Sequence, residues 1–131
     1  MSSIFSKIAA GEIPCYKIAE DDDYLAFLDV FPLKRGHTLV IPKKEVDYIF
    51  DLDSKTYLGL MAFSKKVAEA LKKSINCQRV TMHVIGLEVP HAHVHLIPIN
   101  TMSDCNFANE KLHFTKEEFT QTAAQISANV D

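Results

Sequence analysis

The chain has 131 residues, of which 47% are hydrophobic and 24% are charged, and its formal net charge is −3. This composition is typical of a soluble globular protein, and we expect a single domain over residues 1–131. The lack of an overall positive charge argues against a nucleic-acid polymer or a membrane surface as the partner. No stretch approaches the roughly 20 consecutive apolar residues that a membrane span requires.

The cysteine content also bears on location. Cys15, Cys77 and Cys105 are odd in number, lie far apart and form no Cys-x-x-Cys motif. This pattern argues against a disulfide scaffold and favours a reducing compartment. Residues 1–7 lack the long apolar segment of a signal peptide. We therefore expect a cytoplasmic protein.

The first part of the chain predicts one short helix and three strands. Residues 2–10 can form an amphipathic helix that ends at Gly11. Alternating or continuous apolar residues then predict strands over 15–19, 24–30 and 36–42. The connections between these strands are short, so we expect them to pair antiparallel.

The second part predicts a long helix, two further strands and a final helix. Apolar side chains over residues 54–75 recur at helical spacing, and strands are predicted over 79–86 and about 92–99. Thr115 followed by Glu118 is a capping box that predicts the start of the last helix. The sum is an α+β fold, with about five antiparallel strands, one long helix and a short helix at each end.

The most informative feature is the run His91-Ala92-His93-Val94-His95, in which histidine occupies alternate positions. Alternation is the period of a β-strand, so we expect the three imidazoles on one face and the apolar side chains on the other. The unperturbed pKa of histidine, about 6.5, lies near neutrality. The row can therefore supply a nucleophile, an acid, a base or a metal ligand.

Three interpretations of this histidine row compete. A solvated strand face is disfavoured, because such faces usually use Lys, Glu, Thr and Ser. A metal site is possible, because His-x-His on a strand can offer two nitrogens to one ion. Nucleophilic catalysis by one imidazole, oriented by the others, is the third interpretation. The spacing alone does not separate the last two.

The row resembles the His-φ-His-φ-His-φ-φ signature of the histidine triad (HIT) nucleotide-binding hydrolases, where φ is apolar. The resemblance covers about residues 3–99, whereas residues 100–131 form a tail and helix that add little to it. The order and spacing of several segments agree with the family. These segments are residues 4–8, 11–14, 27–30, 36–43 and 91–97.

The resemblance implies a HIT-like fold and a reaction. Family members cleave at the α-phosphate of a nucleotide, usually a purine nucleotide, and their substrates include nucleoside phosphoramidates and dinucleoside polyphosphates. Carried over, His93 is the nucleophile that forms a nucleotidyl-histidine, and His91 orients its ring. His95 and His37 would contact the phosphate and assist with charge or protons. No cofactor is required, and members of this size are usually homodimers.

The resemblance also implies a nucleotide pocket. Asp29 would accept hydrogen bonds from the ribose hydroxyls, although an Asp before Phe31-Pro32 is also a common turn residue. The alternative for His37 is a buried histidine with a backbone partner. Five apolar residues would enclose the base, and ordinary core positions are the alternative for them. These five are Ile4, Phe5, Ile8, Phe27 and Val30.

The sequence departs from the family at a structural metal site. Many bacterial members hold a zinc ion with a Cys-x-x-Cys near the N-terminus and a histidine after the third strand. Ser3, Ser6 and Glu45 stand at those positions. We therefore expect no structural zinc, and we predict no metal ligand elsewhere in the chain.

A second departure lies on the phosphate side of the pocket. Residues 82–88 are several residues shorter than the usual Gly-rich loop, Leu87 occupies the usual Gln position, and the usual Asn is missing. His83 is a candidate substitute, and a solvent-facing strand histidine is the alternative. Besides hydrolysis, the sequence leaves open a nucleotide-binding module with little catalysis, a metal-dependent hydrolase and a nucleotidyltransferase.

Overall fold

A computed structural model of the chain describes residues 2–131. The described part contains five strands and three α-helices, which confirms the α+β prediction. None of these helices is both long and apolar enough to cross a membrane. The elements are α1 (Ile4–Ala9), β1 (Lys17–Glu20), β2 (Tyr24–Leu28), β3 (Thr38–Pro42), α2 (Ser54–Ser74), β4 (Arg79–His83), β5 (Val94–Ile99) and α3 (Lys116–Ser127).

The five strands form one antiparallel sheet in the order β1-β2-β3-β5-β4. Strand β5 therefore lies between β3 and β4, although β4 precedes it in the chain. In this register Leu39 of β3 lies opposite His95, and Val40 lies opposite Val94. The insertion of β5 places the histidine row beside the start of β3, where His37 stands.

Both faces of the sheet are covered, and the alternation of side chains assigns each residue to one face. Ala26 and Leu28 of β2 pack into the larger core with α2 and α3. Leu25 and Phe27 of the same strand pack on the opposite side with Phe5 of α1. Burial of each such large apolar side chain contributes about 1.5–3 kcal/mol. Helix α1 is thereby held against the face that carries the histidines.

The helix ends agree closely with the sequence patterns. The predicted capping box is confirmed, because Glu118 N donates to Thr115 Oγ1 at 3.1 Å and Thr115 N donates to the Glu118 carboxylate at 2.8 Å. The predicted helix over 54–75 begins at Ser54 and ends one residue early, at Ser74. The first helix is shorter than the predicted 2–10, because Ser3 is its N-cap and accepts a hydrogen bond from Ser6 N.

Several strands are shorter than predicted because their ends turn toward the site. The predicted strand 24–30 ends at Leu28, and Asp29 then accepts a hydrogen bond from Phe31 N at 2.9 Å in a tight turn. The predicted strand 36–42 begins only at Thr38, because Gly36 has a left-handed φ of 92°. The residues between these strand ends form the rim of the site.

The predicted strand 92–99 also begins late, at Val94, so His91 and His93 precede the strand. The reason is a change of backbone partner, because Ala92 N donates to Val46 O at 2.7 Å, beyond the end of β3. The predicted alternation still holds in this extended segment. Ala92 and Val94 lie in the larger core, whereas the three imidazoles lie on the side of α1.

Candidate active site

A cleft of about 500 Å³ opens on the face of the sheet that carries the histidines. It runs between helix α1, the turn after β2 and the segment before the histidine row. Nine of the ten site residues predicted from the sequence line this cleft, and the tenth, His91, lies behind it. The nine are Ile4, Phe5, Ile8, Phe27, Asp29, Val30, His37, His93 and His95.

One wall of the cleft is apolar. Phe5 and Phe27 meet edge to face, with ring centroids 5.6 Å apart, and both also belong to the smaller core. Ile4 and Val30 lie at the rim, where about half of each side chain is exposed (51% and 50%). The wall is therefore rigid at its base and open at its edge, which suits a flat apolar ligand.

His93 presents an unprotonated nitrogen to the cleft. Its Nδ1 lies 2.7 Å from His91 O, a carbonyl that can only accept, so this bond assigns the proton to Nδ1. Nε2 then carries a lone pair. Burial lowers the pKa of His93, and the ring is only 6% exposed. The edge of Phe5 packs against it at a centroid distance of 4.9 Å. A neutral, oriented imidazole of this kind is a competent nucleophile.

His91 is fully buried and both of its ring nitrogens are occupied. Nε2 donates to Pro42 O at 2.7 Å, and Nδ1 accepts from Ser3 Oγ at 2.9 Å. The ring therefore has no free atom for a ligand. His91 acts on His93 through its main-chain carbonyl, as a positioning residue.

The three positions at which the family places zinc ligands meet at this histidine. Glu45 Oε1 accepts from Ser3 N at 2.5 Å and from Ser6 Oγ at 2.6 Å. These bonds, the first above all, lower the pKa of Glu45 to about 2. Zinc sites in proteins use thiolate, imidazole and carboxylate ligands, and two serine hydroxyls do not fit that donor set. Hydrogen bonds among these side chains hold His91 instead.

His37 and His95 form a second chain of hydrogen bonds. Leu33 N donates to His37 Nδ1 at 3.0 Å, which assigns the His37 proton to Nε2. His37 Nε2 then donates to His95 Nδ1 at 2.9 Å. By the same reasoning, the His95 proton lies on Nε2, which is free to donate into the cleft. His37 has the backbone partner expected of a buried histidine and also contacts the histidine row.

The two imidazoles of this second chain are neutral in the free protein. Burial is the main cause that lowers the pKa of both His37 and His95 to about 3, and neighbouring histidines add to it. In this state His95 can offer an oriented N–H dipole to a phosphate. The expectation that both rings assist with charge or protons stays a prediction.

Asp29 lies beside this chain, with Oδ2 3.6 Å from His37 Nε2. Burial raises the pKa of Asp29 to about 6, against the opposing effects of the Phe31 amide and the positive charge of Lys111. Since His37 is neutral, the contact is not an ion pair. One carboxylate oxygen closes the turn and the other faces the cleft, so the turn role and the ligand role are compatible.

The same residues form the one group in the described chain whose geometry could hold a metal ion. Ligand atoms of Asp29, His37 and His95 lie within 4.8 Å of one another. The direct hydrogen bond between the two rings, however, uses the nitrogens that face each other. A metal ion could bind there only if that bond were broken.

Among the cleft residues that were not found from the sequence, two lie in the C-terminal tail (residues 100–114). Phe107 and Lys111 belong to the tail, which folds back over the sheet after the short 3-10 helix Met102–Cys105. The Phe107 ring packs edge-on against His95 at 5.0 Å and His37 at 6.2 Å between centroids. Neither residue lies in a periodic element, so no sequence pattern indicated their position.

The shortened loop lies at the edge of the cleft. Residues 85–88 of this loop and the following Val89 line the opening, and Leu87, at the usual Gln position, is 88% exposed. His83 is not among the lining residues. Its ring instead packs edge-on against Phe107 at 5.4 Å and lies 3.3 Å from the Thr81 hydroxyl. His83 therefore supports the tail and does not substitute directly for the missing polar groups.

Comparison with known proteins identifies the family of this chain. The HIT domain family matches residues 10–102. An uncharacterized HIT-like protein of Borreliella burgdorferi is 38% identical, covering 97% of both chains. The adenosine 5'-monophosphoramidase of Schizosaccharomyces pombe is also 38% identical, over 75% of this chain and 74% of its own.

Solved structures show the same fold. The crystal structure of a Hit-like protein from Bartonella henselae superimposes with a TM-score of 0.85 at 32% identity, covering 98% of this chain and 96% of its own. The match of the family extends over most of the sheet and all of the histidine row. On these grounds the chain belongs to the HIT domain family.

Proposed function

We propose that this protein hydrolyses a purine nucleotide phosphoramidate or a dinucleoside polyphosphate at its α-phosphate. The observation that carries the proposal is the pairing of His93 and His95, whose ring centroids lie 4.9 Å apart. One ring offers a lone pair and the other an N–H to the same cleft. The apolar wall supports a base site, and Asp29 supports a ribose site. The similarity to a phosphoramidase supports the reaction class.

In the first step, His93 Nε2 attacks the α-phosphorus and forms a P–N bond. The bond to the leaving group breaks, and the leaving group takes the bonding electron pair. A proton taken up with the substrate protonates the bridging nitrogen of a phosphoramidate, so the amine leaves as a neutral molecule, while His95 Nε2 donates a hydrogen bond to the phosphate. A polyphosphate leaving group can leave as an anion.

In the second step, water attacks the phosphorus of the nucleotidyl-histidine. The P–N bond breaks, the electron pair returns to His93 Nε2, and the products are free enzyme and a nucleoside monophosphate. The proton of the attacking water passes to solvent, and His95 keeps its Nε2–H, which stabilises the charge on the phosphoryl oxygens. His93 Nδ1 keeps its hydrogen bond to His91 O throughout, so the ring does not rotate.

Replacement of the nucleophile tests this proposal. His93→Ala should reduce turnover of adenosine phosphoramidate by on the order of 10³-fold or more, because no other group in the cleft replaces the lone pair. AMP binding, measured by calorimetry, should stay within about threefold. Mass spectrometry of the acid-quenched wild type should detect a nucleotidyl adduct on His93. Undiminished turnover in the variant would refute the role of His93.

The alternative is a nucleotide-binding module with little catalysis, which the short loop before the histidine row favours. Tight AMP binding with neither adduct nor turnover would support it.

A metal-dependent hydrolase is tested separately, because Asp29, His37 and His95 lie close enough together to bind a metal ion. Full activity of metal-free protein in excess chelator would eliminate a metal-dependent hydrolase. Transfer of the nucleotidyl group to another acceptor would appear as a product other than the monophosphate.

We also propose that the protein is a cytoplasmic homodimer. Strand β4 is the last strand of the sheet, and its outer edge is unpaired in the described chain. Met82, Val84 and Ile85, in and just after this strand, are apolar and exposed. The three free cysteines suit a reducing compartment. Light scattering should give twice the chain mass, and Val84→Glu should shift it toward the monomer.

A further inference from the structure

The charges that line the cleft are unfavourable for a nucleotide unless one residue offsets them. Among the described residues, the lining carboxylates are Asp29 and Glu88, and the single lining Lys or Arg side chain is Lys111. A nucleotide brings a further negative charge. Without Lys111, every formal charge at the cleft would repel the phosphate.

The histidines do not supply this positive charge in the free protein. His37 and His95 are neutral at physiological pH because burial holds their pKa near 3, and burial also lowers the pKa of His93. The loop before the histidine row brings Glu88 and exposed apolar side chains but no cation. The charge on the phosphate therefore has one fixed counterion within the cleft.

Lys111 is placed to make this contact. Its Nζ donates to Phe107 O at 2.7 Å and to Asn109 O at 3.2 Å, which leaves one of its three N–H groups free. Within residues 2–131, no carboxylate lies within 4.0 Å of this Nζ. Lys111 lines the same cleft as Asp29 and His37, and its positive charge lowers the pKa of both.

The fold holds the tail firmly against this end. Leu112 N donates to Pro32 O at 2.8 Å, and Lys34 lies 3.6 Å from the Asp104 carboxylate. The Phe107 ring packs against three imidazoles, those of His37, His83 and His95. The backbone is thus held in place both before and after Lys111 in the sequence. The hydrogen bonds of its ammonium to two carbonyls restrict it further.

We propose that Lys111 is the anion-binding residue of the cleft and that its Nζ contacts a non-bridging oxygen of the nucleotide phosphate. The tail thereby supplies the phosphate contact that residues 82–88 lack. This inference rests on the proposed nucleotide-binding function. It predicts a site that prefers phosphorylated nucleosides over nucleosides, with the preference residing in a segment outside the histidine row.

Calorimetric titration with AMP and with adenosine tests the inference, because the two ligands differ only in the phosphate. Lys111→Met should weaken AMP binding about tenfold or more, since a charge-assisted hydrogen bond is lost, and should leave adenosine binding within about twofold. Lys111→Arg should retain most of the AMP affinity. Lys66→Met, which removes an exposed lysine from α2, is the matched control and should change neither affinity.

Each outcome separates this inference from the proposed function. An equal loss of AMP and adenosine affinity in Lys111→Met, not restored by arginine, would mean that Lys111 only holds the tail and would overturn the inference. Unchanged AMP binding would overturn it as well. If the wild type bound neither ligand, the proposed function itself would fail. Thermal unfolding of each variant checks that a loss of affinity does not arise from unfolding.

Discussion

Two hydrogen-bond chains end at neighbouring imidazoles of the cleft, and they are built differently. The chain that ends at His93 passes through a main-chain carbonyl, that of His91. The chain that ends at His95 passes through a side chain, that of His37. The first leaves a lone pair in the cleft and the second leaves an N–H donor. The hydrogen-bond partner behind each ring therefore determines whether that ring presents a lone pair or an N–H group to the cleft.

This difference has a consequence for robustness. A main-chain carbonyl remains in place when side chains change, so the orientation of His93 should resist substitution of the residues that hold His91. The orientation of His95 depends on one imidazole that is itself oriented by Leu33 N. We expect the second chain to be the more sensitive of the two.

Apart from the loss of His93 itself, the largest effect should follow from breaking the second chain. His37→Leu should lower kcat on adenosine phosphoramidate by about 10²-fold, because His95 loses the partner that assigns its Nε2 proton to the cleft. His37→Gln, whose amide can still donate to His95 Nδ1, should recover part of the loss. AMP affinity should change much less than kcat. Steady-state kinetics and calorimetry measure the two effects, and equal kcat in both variants would contradict the role of His37.

A smaller effect should follow from breaking the support of the first chain. Ser3→Ala leaves His91 Nδ1 buried without its closest hydrogen-bond donor and also removes the N-cap of α1. Together these losses should cost about 1–3 kcal/mol of unfolding free energy. Turnover at a temperature where the variant is folded should fall less than in His37→Leu. Urea unfolding and kinetics test this prediction, with Ser103→Ala on the exposed tail as the control. A loss of turnover as large as that of His37→Leu would contradict the comparison.

The smallest effect should be a pH dependence that arises at Asp29. Its pKa of about 6 means that the carboxylate able to accept ribose hydroxyls is fully present only above that pH. Affinity for adenosine, which does not itself titrate in this range, should therefore rise a few-fold between pH 5 and pH 7, and this rise should be absent in Asp29→Asn. Lys111, Glu88 and His37 are the titratable groups that face it.

The same shift has a counterpart in stability, with the sign set by the raised pKa. Between about pH 4 and pH 6, the folded chain binds the Asp29 proton more tightly than the unfolded chain does. Its contribution to stability is therefore present at low pH and is lost as the pH rises through about 6. Asp29→Asn should remove this loss. A denaturation series across that range, compared with the wild type, measures it.

The sequence predicted those parts of the molecule that depend on local periodicity. The alternation at His91, His93 and His95, the capping box at Thr115 and the turn at Asp29 each follow from a few adjacent residues. These patterns are short in range, because strand period, helix capping and turn chemistry act within about four residues. The strand bounds were less accurate, because Val46 and Gly36 redirect the backbone at the ends.

The parts that could not be predicted depend on contacts between distant segments. Phe107 and Lys111 lie in a polar stretch without periodicity, and their place follows from bonds such as that between Leu112 and Pro32. The withdrawal of His91 from the cleft depends on Ser3, 88 positions away in the chain. Spacing within the row gave no sign that its first member differs from the other two.

The position of the tail has an evolutionary consequence. Segments without regular structure tolerate insertion, deletion and substitution better than strands do. Substitutions in residues 100–114 could therefore alter ligand preference in one lineage. His93 and the residues that orient it would remain under separate selection. Paralogues that share the reaction and differ in the ligands they accept would then diverge first in this tail.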